Sequence, residues 1–283
     1  MQLITWNIQW GRGADGVVDP RRIVRACRAL GDADVLCFQE VARNFPGLAG
    51  SGGDDSFAAL AAELPGWTAV EGLGVDTLGA GGERRQFGNL VLTRRPVLAV
   101  YRHLLPWPAD PAVPTMQRIA LEVVIAAPRG PVRVTTTHLE YYSAQQRAAQ
   151  VERLRALQGE AAAHAGDPPF PAKAGGPFEA RARPQSAILT ADFNFRPEDP
   201  LYDLVQAPIA GAPAYRDAWR IRHGAAPHPA TVGVYDKAQW PDAPFACDFI
   251  FVTEDLAARV EDVVVDGATQ ASDHQPVLLQ LAD

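Results

Sequence analysis

Eight polar residues interrupt apolar, strand-like runs of the sequence. Asn7 ends ITWN and Glu40 ends VLCFQE. His138 ends VTTTH, and Asp192 and Asn194 follow AILT as ADFN. Asp248 sits in CDFIF, and Asp273 and His274 precede PVLLQL. Each is a costly residue at the edge of an apolar core. One of them alone reads as a turn residue or a solvated charge. Together, at successive strand ends, they read as one polar pocket at a sheet rim. Hard carboxylate oxygens with imidazoles and amides are what a Mg²⁺- or Mn²⁺-assisted attack on a phosphate ester requires.

Other chemistries have less support. No HExxH or CxxC spacing offers a zinc site, and neither GxxxxGK[ST] nor GxSxG occurs. Cys27, Cys37 and Cys247 are widely spaced and lie in apolar patterns, which reads as buried thiols in a reducing compartment. With no leader pattern at the start and no apolar run of membrane-spanning length, the expected location is the cytoplasm.

The elements that must position these residues alternate unevenly. Strand patterns cover 2–8, 34–38, 87–93, 97–104, 118–127, 131–139, 186–191, 247–253, 259–265 and 276–281. Helical spacing covers 20–30, 56–64 (with Ser56 as cap) and 143–164. The Gly-rich stretch 72–86 and the Pro/Gly-rich stretch 165–185 read as long insertions, either lids or disordered segments. Many strands with helices between them predict two packed sheets covered by helices. Nothing in the composition divides the 283 residues, so 1–283 reads as a single domain. The net charge of −7 and the lack of a dense basic run disfavour a protein that grips long duplex nucleic acid. Arg21-Arg22, Arg84-Arg85 and Arg94-Arg95 read as solvated surface.

Seven motifs together resemble the endonuclease/exonuclease/phosphatase superfamily: TWN (5–7), FQE (38–40), GNLVLTR (88–94), THL (137–139), ADFN (191–194), CDFIF (247–251) and SDHQPV (272–277). They occur in the family's order and span nearly the whole chain. The resemblance implies a deoxyribonuclease I-like, four-layer α/β/β/α sandwich of two mixed β-sheets flanked by helices. It also implies a divalent-metal phosphoesterase. Two positions depart from the family's common pattern. Ala191 stands where Gly often precedes Asp-Phe-Asn. Thr-His-Leu at 137–139 replaces the tyrosine version of apurinic endonucleases, pointing toward phosphatases, sphingomyelinases and other nucleases.

The resemblance and the chemistry together assign expected roles. Glu40 is the leading metal ligand, with Asn7 and Asp273 completing the surroundings of Mg²⁺ or Mn²⁺. Asp192 orients and deprotonates the attacking water, and Asn194 holds that water or a phosphate oxygen. Asp248 fixes the His274 imidazole, which stabilises the phosphoryl group or acts on the water. His138 donates to a phosphate oxygen or to the leaving group. Trp10, Arg12, Arg43, Arg84, Arg85, Tyr141, Tyr142 and Phe195 are candidate substrate contacts, and Arg118 is a candidate ion-pair partner near the site. The expected partner is a phosphoester substrate, small or lipid-linked rather than long duplex nucleic acid. The alternatives are an endonuclease or exonuclease on short or single-stranded nucleic acid, and a non-catalytic phosphate-binding module.

Overall fold

The computed structural model describes residues 1–168, 170, 175–181 and 183–283. One six-stranded sheet contains β1 (Gln2–Asn7), β2 (Val35–Arg43), β3 (Thr68–Leu78), β4 (Arg84–Thr93), β11 (Val260–Val265) and β12 (Val277–Leu281), in the order β11-β12-β1-β2-β4-β3. The second contains β5 (Val97–Leu104), β6 (Ile119–Ile125), β7 (Val132–His138), β8 (Ala187–Asp192), β9 (Tyr215–Asp217) and β10 (Asp248–Thr253), in the order β5-β6-β7-β8-β10-β9. Each sheet has one parallel pair, β1/β2 and β7/β8, among antiparallel neighbours, so both are mixed.

Period-two alternation sorts the side chains into layers. Leu3, Cys37 and Val91 of the first sheet face Val123, Val134 and Ile250 of the second across a common core. Ile4, Trp6 and Phe38 point outward, under Ile23 and Cys27 of α1 (Pro20–Leu30) and Phe57 of α2 (Ser56–Ala62). Leu189, Phe249 and Phe251 do the same under α3 (Ala144–Gly166) and α4 (Pro200–Gln206). The result is the expected α/β/β/α sandwich. Two shorter helices, α5 (Ala218–His223) and α6 (Glu254–Ala257), lie beside β9 and β10.

Several boundaries need correction. Asp55, not Ser56, caps α2; its side chain accepts from Ala58 N–H. The stretch 72–86 is not an insertion but most of the β3–β4 hairpin. Its glycines serve close approach: a Cβ on Gly88 would collide with the Gly72 carbonyl, and the ladder bulges between Leu73 and Val75. Of the stretch 165–185, residues 169, 171–174 and 182 lie outside the described residues. All three cysteines are buried and unpaired, as read from their patterns. Among the described residues, no helix is long and apolar enough to cross a membrane.

Candidate active site

Topology gathers the polar residues at one rim. Parallel pairing puts the ends of β1 and β2 together, with Asn7 opposite Gln39. It likewise sets His138 opposite Asp192, at the ends of β7 and β8. Antiparallel β10 starts where β8 ends, so Asp248 also pairs with Asp192. The segment before β12 brings Asp273 and His274 to the same end, because β12 runs antiparallel to β1. Gln39 joins the two sheets beneath the rim, donating to Thr5 Oγ1 at 3.1 Å and Thr136 Oγ1 at 2.8 Å.

Asp192 is the hub. Its Oδ2 accepts from Asn7 Nδ2 at 3.0 Å and lies 3.5 Å from His138 Nε2 and 3.7 Å from His274 Nε2. Its Oδ1 accepts from the Asn194 backbone N–H at 3.0 Å. Glu40 stands beside it, 3.0 Å from Asn7 Nδ2 and 3.9 Å from His138 Nδ1. Glu40 adopts a left-handed φ of 57° in a bulge of β2, a strained conformation for a non-glycine residue that re-aims its carboxylate. Asn194, at φ 53°, is a residue that tolerates this region. Its side-chain nitrogen donates to Leu139 O at 2.9 Å, and among the described residues its amide oxygen accepts no hydrogen bond. Asn7 uses its nitrogen on the two carboxylates, and its oxygen accepts from Gln9 N–H at 3.1 Å.

Asp273 is held by several donors. Its Oδ2 accepts from Gln9 Nε2, Gln239 Nε2 and Trp240 Nε1 at 3.2, 3.1 and 3.0 Å. Its Oδ1 accepts from Ser272 Oγ at 3.2 Å. Asp248 Oδ2 lies 2.8 Å from His274 Nδ1, so the acceptor-only carboxylate directs the Nδ1–H toward itself and leaves Nε2 facing Asp192.

The electrostatics follow from four carboxylates set together, three buried and Glu40 half-buried. Burial and the charge of Asp273 push Glu40 up to about 7, with Asn7 and His274 opposing. Burial also raises Asp192, reinforced by Asp248 and opposed by His274 and Asn7. His274 goes the other way. Burial disfavours its charge, but Asp248, Asp192 and Asp273 outweigh that and hold it well above the ordinary imidazole value. Burial, then the charges of Arg118 and His274, hold His138 well below that value. The site therefore pairs a cationic imidazole with a neutral one.

Asp192, Cys247 and His274 also bring one possible ligand atom each within 4.8 Å of one another. Burial and the neighbouring Asp192 and Asp248 raise the Cys247 thiol well above its ordinary value, so it stays protonated. The surplus of negative charge lies on the oxygen-rich side, at Glu40, Asp192 and Asp273. That donor set fits a hard divalent cation.

These groups open into a cleft of about 1130 Å³. Trp10, Tyr141, Tyr142 and Phe195 line it, as expected, and so does Arg118, which pairs with Glu140 at 3.2 Å. The other candidate arginines do not. Arg12 pairs with Asp236, Arg43 with Asp55 and Glu71, Arg84 with Asp76 and Arg85 with Glu83, each consumed by a nearby carboxylate. Sequence reasoning missed Gln9, Gln239, Trp240, Arg196 and Phe245. The one available signal was an aromatic-rich loop, KAQWPDAPF, one residue before CDFIF.

Residues 4–170 match the model of the endonuclease/exonuclease/phosphatase family. The chain belongs to that family. Among solved structures, this family member is similar to an endonuclease/exonuclease/phosphatase from Beutenbergia cavernae. Identity is 26% and TM-score 0.65, over 100% of this chain and 72% of that one. It also resembles a mannosyl-6-phosphatase of Bacteroides thetaiotaomicron, 16% identical with TM-score 0.66, over 100% of both chains. A 3′ phosphatase from Neisseria bound to a product DNA hairpin is 20% identical with TM-score 0.59, over 100% of both. No curated protein matches the chain.

Proposed function

We propose that this family member hydrolyses phosphoester bonds with Mg²⁺ or Mn²⁺, acting as a phosphodiesterase or phosphatase on a small or lipid-linked phosphate. The carrying observation is the convergence of Asn7, His138 and His274 on Asp192 Oδ2, with Glu40 alongside. Glu40 would hold the cation, with Asp273 adding negative charge from its donor network and Asn7 orienting the carboxylates. The bound cation would supply Lewis-acid polarisation of a phosphoryl oxygen and a lowered pKa for bound water.

The side chains divide the remaining work. Asp192 accepts the proton of the attacking water. Asn194 steadies that water through its amide oxygen, since its nitrogen is engaged by Leu139. His274, kept cationic and oriented by Asp248, stabilises the negative phosphoryl oxygens. Neutral His138 donates from one ring nitrogen to a phosphate oxygen or the leaving group. Both sheets contribute to the site, which supports reading 1–283 as one domain. The buried, unpaired cysteines support a cytoplasmic location.

The second reading is a nuclease on short or single-stranded nucleic acid, supported by the likeness to the Neisseria 3′ phosphatase. A substrate panel tests both readings: p-nitrophenyl phosphate, bis-p-nitrophenyl phosphate, phospholipid and single-stranded DNA, with and without EDTA. The expected result is turnover of the small esters that EDTA abolishes. Turnover indifferent to EDTA, or an Asp192→Asn variant as active as the wild type, overturns the proposal.

A further inference from the structure

Beyond the reacting groups, one wall of the cleft is aromatic. Tyr141 and Tyr142 follow His138 closely and remain 44% and 59% exposed, their rings crossing edge to face at 4.8 Å. Trp240 meets Tyr141 at 6.0 Å and His274 at 6.2 Å, both nearly perpendicular. Its indole N–H donates to Asp273, so one carboxylate fixes this ring and also bears on Glu40. Phe245 backs Trp240 at 5.9 Å and carries the Arg196 guanidinium 4.2 Å above its own ring. This is a preformed array of rings, continuous with the reacting centre through Trp240 and His274. Exposed aromatic surface inside a cleft marks a place where a ligand group is buried.

The charges beside the wall narrow the ligand. The lining of the cleft mixes signs: Glu198, Asp199 and Asp242 on one side of the balance, Arg147 and Arg196 on the other. Such a balance gives the successive phosphates of an extended strand no continuous basic track, and an uncharged ring needs none. A flexible alkyl chain would gain area there but no stacking geometry. We propose that the wall formed by Tyr141, Tyr142, Trp240 and Phe245 is the subsite for a flat ring, a nucleobase or an aryl group. That ring is carried by a small phosphate ester whose phosphate meets the Asp192 centre. The inference rests on the phosphoester reading above and names its substrate class.

Two measurements test it. The first is equilibrium binding of adenosine and of ribose, which needs no turnover. Adenosine is expected to bind in preference to ribose, with Tyr141→Ala weakening it about tenfold, as loss of one stacked ring does, and Tyr141→Phe restoring it. The second is kinetics on adenosine 5′-monophosphate, phenyl phosphate, glycerol 3-phosphate, dodecyl phosphate and a single-stranded oligonucleotide. Tyr141→Ala should raise KM for the two ring-bearing monoesters about tenfold, and far less for glycerol 3-phosphate. Comparing the two ring esters separates nucleobase from aryl. Adenosine binding no better than ribose, an equal KM rise on glycerol 3-phosphate, or a preference for the dodecyl ester or the oligonucleotide overturns the inference. If no ester is turned over, the phosphoester reading fails, and the adenosine comparison still decides the ring subsite.

Discussion

Strand β7 carries a buried charge cluster near each end, and the two are balanced in opposite ways. Near its start, Arg133 donates to Glu122 at 2.9 Å, Arg183 reaches the same carboxylate at 3.3 Å, and His103 lies 3.6 Å away. Arg133 also donates to Gln158 of α3 and to Pro184 O. Burial opposes the charge on Glu122, but His103, Arg133 and Arg183 prevail and hold it at about 2. At the other end, beyond His138, Glu40, Asp192, Asp248 and Asp273 share one cationic imidazole, and Glu40 is pushed up to about 7. One acid with a surplus of cations ties β6, β7 and α3 together. Four acids around one imidazole are left short of positive charge, which a cation would supply. A buried carboxylate alone does not mark function; the sign of its imbalance does.

Substitutions at the two clusters should therefore fail differently. Asp192→Asn and His274→Ala are expected to lower phosphoester turnover roughly 10²–10⁴-fold, while circular dichroism and thermal melting show a persisting fold. Arg133→Met should do the reverse. Leaving Glu122 short of its main partner costs about 3–5 kcal/mol in urea unfolding, with kcat of the folded fraction kept. A loss of fold in Asp192→Asn, or an unperturbed melt in Arg133→Met, would erase the distinction.

Smaller effects sharpen it. Mn²⁺ at a hundredfold excess over its Kd should stabilise the wild type by about 2.7 kcal/mol, reversed by EDTA and absent in Glu40→Gln, with Arg133→Met still responding. The pH dependence comes from Glu122. Its folded pKa, about 2, lies below the ordinary 4.5, so its contribution is full above 4.5 and fades as pH falls toward 2. Acid melts of Glu122→Gln should lack that part of the decline; an unchanged acid profile would remove Glu122 from the balanced cluster.

The gathering of polar residues at one rim was legible in the sequence because they break apolar strands at their ends, where a polar side chain stands out. The layers were legible because period-two and helical patterns survive wherever one face is buried. Strand β3 was not. It is an edge strand, partly exposed, and its glycines answer to close approach from the other sheet, Gly72 against Leu121 of β6 and Gly74 against the Gln117 carbonyl just before it, which one strand read alone does not reveal. Ala191, where the family often has glycine, packs in the core beneath α3. The arginines misled for a physical reason: nearness in sequence to a motif says nothing about which carboxylate has already claimed the guanidinium. Trp240 and Phe245 belong to a loop without periodicity, so only the folded chain brings them to the cleft.

The central claim is that the acid-rich rim takes up a divalent cation through Glu40. Titration calorimetry of Mn²⁺ into EDTA-stripped, dialysed protein tests it most directly. The account predicts saturable binding in the wild type that Glu40→Gln abolishes and Arg133→Met retains. Equal binding by wild type and Glu40→Gln, or none by the wild type, would contradict it.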